Sequence, residues 1–203
     1  MAQQVAARTA AWLSGIGLRI PPPTIQQMPN LDVLGPGYVG AQAYVDPQGR
    51  QIIANAANVR IWAGLQQRMR GRARRPMSAE AMDQVGALNH ELIHTGSKSL
   101  ATQTPDQRFW EEGITEAVSA DVLPAALRQL YGARGGRNFY KDARYTGSFP
   151  GRVKSIRQMS VYATGAGKWN DRAARVWRRD LANADADQRA QMMAAVNAIR
   201  AQR

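Results

Sequence analysis

The chain has 203 residues, a formal net charge of +12, 44% hydrophobic residues and no cysteine. Its length fits one domain with one sizeable core, since domains commonly run to about 100–200 residues. The lack of cysteine excludes disulfides, thiolate nucleophiles and cysteine-bound zinc, and no apolar run approaches the ~18 residues of a membrane span.

Residues 2–16 carry Val5, Trp12, Leu13 and Ile16 on one side, which predicts a short amphipathic helix. Pro21-Pro22-Pro23 ends it, and residues 24–40, rich in Pro and Gly, read as loop. Ala41–Val45 and Gln51–Ala54 flank Asp46-Pro47-Gln48-Gly49-Arg50, the pattern of an antiparallel hairpin. Residues 56–70 then read as a helix burying Val59, Ile61, Trp62 and Leu65. Arg68 to Pro76 forms a basic connector.

Ser78 stands at an N-cap, with Glu80 and Asp83 near the positive end of a helix expected over Ala79 to Thr95. Gly96 is placed to close that helix. Thr104, Pro105 and Gln107 form a capping-box pattern that starts another helix, expected to reach about Ala120 with Pro124 beyond it. Helical segments are expected near 125–131, 151–163, 170–182 and 186–201, the last opened by a second capping box at Asp185 and Gln188. In the third of these segments Arg172, Arg175, Arg178 and Arg179 read as a solvated face, with Trp169, Val176, Trp177 and Leu181 buried. Met192 and Met193 read as core or as a docking surface. Strands early and helices late make an α+β pattern.

The chemistry lies in His90-Glu91-Leu92-Ile93-His94, which holds the only two histidines of the chain. On a helix, positions i and i+4 stack on one face, so both imidazoles can reach one metal ion. Zinc suits two histidines and a carboxylate, with a fourth position open to water. Glu91, next to the first histidine, is placed to take a proton from that water. No third histidine follows, so the third ligand must be acidic. The helix opened at Thr104 offers Glu111, Glu112 and Glu116, of which Glu112 and Glu116 share a face.

This arrangement resembles the gluzincin metallopeptidases, the group that includes thermolysin and the zinc aminopeptidases. In that group HExxH is followed by a second helix carrying a ligand Glu and another acid four residues on. Here 17 residues, 95–111, separate His94 from Glu112. The resemblance implies Glu112 as ligand and Glu116 as the carboxylate behind a ligand histidine. The spacing is slightly short, which leaves Glu111 as a rival ligand and Glu116 as a weaker one. Trp110-Glu111-Glu112-Gly113 is also similar to the aminopeptidase stretch in which Gly follows the ligand. The resemblance covers about residues 40–121.

The resemblance implies a single zincin-like domain over residues 1–203. Residues 1–100 would hold a small antiparallel sheet packed on the HExxH helix, and about 101–203 a helical portion bearing the third ligand. It implies one zinc ion (Zn2+) per chain and a peptide or protein substrate. The thermolysin-type histidine that stabilises the oxyanion has no counterpart, so a tyrosine or an arginine must serve. Among Tyr140, Tyr145 and Tyr162, Tyr145 is the one chosen.

Other readings compete. Of 27 basic residues only Lys98, Lys141, Lys154 and Lys168 are lysine. Such a charge favours anionic partners, and Arg68, Arg70, Arg72, Arg74 and Arg75 are candidates to grip them, although arginine-rich usage also follows from a GC-rich genome. The chain could be a structural subunit of a larger assembly, such as a virion-associated protein that keeps a zincin fold. It could also bind nucleic acid around a structural zinc, although structural sites are usually closed and cysteine-rich. Met1 to Leu18 lacks the basic start and apolar stretch of a secretory signal, so the cytoplasm or a virion is the expected setting.

Overall fold

The computed structural model describes residues 1–31, 43–46, 51–71, 77–96, 104–132 and 150–202. Helix α1, Ala2–Gly15, buries Val5, Ala6, Ala10 and Leu13 as one stripe. Strands β1 (Thr24–Met28), β2 (Ala43–Val45) and β3 (Gln51–Asn55) form a three-stranded sheet in the order β1-β3-β2. β2 pairs antiparallel with β3, with Tyr44 opposite Ile53, as a hairpin requires. The turn at 47–50 lies outside the described residues.

The sheet is mixed, not antiparallel. Thr24–Met28, read above as loop, is a strand that pairs parallel with β3, with Ile25 opposite Ile52. Its side chains are exposed or half-buried throughout, so it shows none of the apolar alternation that marks a strand. Its partner lies beyond residue 50, and only that pairing defines it. The central strand β3 instead buries Ile52, Ile53 and Ala54 in a row.

Asn55 ends β3 and caps α2, Ala56–Met69, by accepting from the Asn58 N–H at 2.9 Å. Trp62 and Leu65 are buried, whereas Val59 and Ile61 are only half-buried. The Trp62 indole donates to the Gln84 carbonyl at 3.0 Å, which ties α2 to α3. Helix α3 spans Ala79–Thr95, with the Ser78 hydroxyl accepting from the Ala81 N–H at 3.2 Å. Gly96 closes it, but in right-handed conformation at φ −79°. The glycine answers a steric need instead. A Cβ on Gly96 would lie 2.0 Å from the Arg19 carbonyl oxygen.

Helix α4 spans Pro105–Gln129 and opens with the expected capping box at Thr104 and Gln107. It does not stop near Ala120, and residues 125–129 belong to it rather than to a separate helix. A proline inside a helix costs about 3 kcal/mol through its missing N–H and its clash one turn back. Around Pro124, however, Val122, Leu123, Ala126 and Leu127 are all buried, and full burial of a Val or Leu is worth about 1.5–3 kcal/mol each. Packing therefore carries the helix through. Just past its end, the Tyr131 and Thr9 hydroxyls lie 2.7 Å apart, joining α4 to α1.

Helices α5 (Pro150–Thr164), α6 (Arg172–Asn183) and α7 (Ala186–Ala201) follow, the last opened by the Asp185–Gln188 capping box. Met192 and Met193 are half-buried against the core. In α6 the expected faces are partly reversed. Arg178 is fully buried, and Trp169 is 42% exposed. The Arg178 guanidinium lies 2.7 Å from Asp121 of α4 and donates to the Ser160 hydroxyl of α5 at 2.6 Å. Trp169 instead lies beneath the Arg157 guanidinium, 4.0 Å from the ring centre. A buried charge needs a partner on another element, which helical periodicity does not reveal. The fold is thus α+β and mostly helical, and among the described residues no helix is long and apolar enough to cross a membrane.

Candidate metal centre

Two packed helices build the site. Leu88 and Leu92 of α3 and Ile114, Ala117 and Val118 of α4 belong to one buried core. The Ser119 hydroxyl donates to the Gly86 carbonyl at 3.1 Å and fixes one helix along the other. His90 and His94 thereby face the acidic stretch of α4.

Three donor atoms converge. His90 Nε2 and His94 Nε2 lie 2.9 Å apart, and Glu112 Oε2 lies 3.2 Å from the first and 3.3 Å from the second. A tetrahedral ion with bonds of 2.0–2.1 Å separates its ligand atoms by about 3.3 Å. The chemistry of the donor set agrees with this spacing, because both Nδ1 atoms are committed elsewhere. His90 Nδ1–H donates to Glu116 Oε2 at 2.7 Å, and His94 Nδ1–H donates to Glu111 Oε1 at 3.2 Å. Each Nε2 lone pair is then turned toward the common point. His90, His94 and Glu112 form the one group of this kind among the described residues. The residues present fit a dication with N/O ligands.

The structure also separates the three glutamates. Glu112 reaches the convergence point, Glu116 sits behind His90, and Glu111, the rival ligand, sits behind His94. Glu111 accepts a further bond from the Thr115 hydroxyl at 3.3 Å and pairs with Arg189 of α7. The sequence reading did not foresee the roles of Glu111, Thr115 and Arg189. A signal for the first two existed, since Glu111 and Thr115 form a second i, i+4 pair beside Glu112 and Glu116. Arg189 lies 78 residues from Glu111, with no local sign of the pairing.

The charges are strongly coupled. Burial opposes a charge on either histidine, but bonds to Glu112 and Glu116 hold His90 well above the ordinary imidazole value. Burial likewise opposes the charge on His94, yet bonds to Glu111 and Glu112 hold it up at about 9. Glu112 shifts the other way. Burial would raise it, but the two histidines keep its carboxyl far below the usual range. Glu91 is buried on α3, and that burial pushes its carboxyl up against the pull of both histidines. A carboxylate with raised pKa is a better proton acceptor near neutrality.

Access differs around the ring. The Glu112 side chain is 35% exposed, against 12% for His90 and 6% for His94, so the site opens on the Glu112 side. Tyr140 and Tyr145 lie outside the described residues, as do Arg72, Arg74 and Arg75. Tyr162 sits on α5, where its hydroxyl accepts from Gln158 at 3.5 Å and Arg200 lies 5.7 Å from its ring centre. No protein-family model, no curated protein and no solved structure matches this chain.

Proposed function

We propose that the chain is a zinc-dependent hydrolase, a metallopeptidase of gluzincin type, in which His90, His94 and Glu112 hold one zinc ion. The observation that carries this reading is the convergence of two Nε2 atoms and one carboxylate oxygen within 3.3 Å of one another. Three protein ligands with one solvent-facing side are the mark of a catalytic rather than a structural zinc site. The zincin-like fold belongs to the same proposal. It is supported by the pairing of a motif helix with a glutamate helix beside a small sheet.

When bound, zinc lowers the pKa of water and polarises a carbonyl. The protein's part is positioning and proton transfer. Glu116 and Glu111 orient the two imidazoles from behind. Glu91, buried close to both histidines, is the group that would accept a proton from the attacking water and deliver it to the leaving amine. The partly exposed Glu112 side is where a substrate carbonyl would approach. Tyr145 is proposed as the donor to the developing oxyanion.

The decisive experiment is the zinc content of the purified wild type and of Glu112→Ala side by side. About one zinc per chain, lost in the variant, supports the site. A wild type that takes up little zinc overturns it and favours a structural subunit of a larger assembly.

A further inference from the structure

The side chain of Arg189 joins three parts of the molecule. It belongs to the first turn of α7, and its Nε donates to the Leu181 carbonyl at 2.9 Å and its Nη2 to the Ala182 carbonyl at 2.8 Å. Both carbonyls lie at the C-terminal end of α6, where helix carbonyls lack partners of their own. The remaining nitrogen, Nη1, pairs with Glu111 Oε2. Glu111 is only 1% exposed, and a carboxylate so buried needs a cationic partner.

The arrangement has a direction. Because Arg189 takes Oε2, the other oxygen of Glu111 is left facing Thr115 and His94 Nδ1. The planar guanidinium is pinned at two carbonyls before it meets Glu111, so the carboxylate has little freedom to turn. The orientation of the His94 ring then follows from a residue of α7, on the other side of Glu111 from the metal centre. A lysine has no such fork and cannot make all three contacts in one plane.

We propose that Arg189 is a positioning residue for the metal centre, acting through Glu111 to aim His94 Nε2 at the convergence point. The inference rests on the metal-centre reading above. The docked α6–α7 pair is then part of the site, and zinc binding reports on that docking.

The test measures zinc affinity by competition with a chromophoric chelator, together with the visible spectrum of the cobalt-substituted protein. Arg189→Met and Glu111→Gln should each weaken zinc binding about 10–100-fold, the usual effect of losing the group behind a ligand histidine. The double variant should lose little more than the worse single one, because both act through one path. The cobalt bands should shift in both, and Arg189→Lys should recover the affinity only in part. Arg172→Ala, an exposed arginine of α6, should match wild type. If Arg189→Met fails to fold, Glu111→Gln and Arg189→Lys carry the same comparison. Wild-type affinity and an unshifted cobalt spectrum in these variants, even with a lower Tm, overturn the inference alone. A wild type that binds no zinc overturns it together with the metal-centre reading.

Discussion

Glu116 Oε2 lies 2.7 Å from His90 Nδ1, on the opposite edge of the ring from Glu112. This bond fixes the His90 tautomer and turns its Nε2 lone pair inward. Glu116→Ala removes the partner without touching a ligand atom. Zinc affinity should fall about 10–100-fold while the stoichiometry of the saturated protein stays unchanged. A chelator competition titration reads both quantities, and an unchanged affinity would remove Glu116 from the site.

Glu91 has a different task in the proposed mechanism, so its replacement should separate binding from turnover. Glu91→Gln keeps the size of the side chain and removes its basicity. Zinc content should match wild type, and kcat on a fluorogenic peptide should fall about 10²–10⁴-fold. A fully active variant would falsify the role given to Glu91.

The metal-free protein should show a distinctive pH dependence. His94, held up at about 9 against an ordinary 6.5, binds its proton more tightly folded than unfolded. The stability this provides is complete below pH 6.5 and is lost as pH rises through about 9. The Tm of chelator-stripped protein should therefore drop across that window, with His90 acting in the same sense. Zinc must displace these protons, so its affinity should rise over the same range. Melting curves at intervals between the two pH values check the first statement, and a Tm that climbs would contradict it.

Arg178 and Asp121 form a buried ion pair between α6 and α4. Arg178→Ala leaves Asp121 without its main cationic partner, and breaking a buried pair in this way costs about 3–5 kcal/mol. The double variant Arg178→Met with Asp121→Leu removes both charges and should be more stable than the single one. Urea unfolding of the three proteins decides the order.

Gly113 directly follows Glu112, the proposed third ligand. Replacing a helical glycine with alanine usually stabilises by roughly 0.5–1 kcal/mol. Here a new Cβ would stand 2.8 Å from the Arg152 Cβ of α5. Neither atom is the end of a flexible chain, so α5 must shift away from α4. Gly113→Ala should therefore destabilise, by about 1–3 kcal/mol as overpacked cores do. A gain in Tm would show that the two helices have slack at this point.

The amino-acid sequence by itself determined the features that local physics controls. Ser78, Thr104 and Asp185 mark helix starts because a cap bonds a backbone N–H only a turn away. His90, His94, Glu112 and Glu116 were legible because a helix places i and i+4 on one face. Only the tertiary structure decided what depends on distant partners. It made a strand of Thr24–Met28 through β3, carried α4 past Pro124 by burial, and drew Arg178 inside to meet Asp121. It also set Glu111 behind His94 rather than among the donors, held there by Arg189. Each of these outcomes rests on packing or charge pairing between segments far apart in the chain, for which no periodicity leaves a local trace.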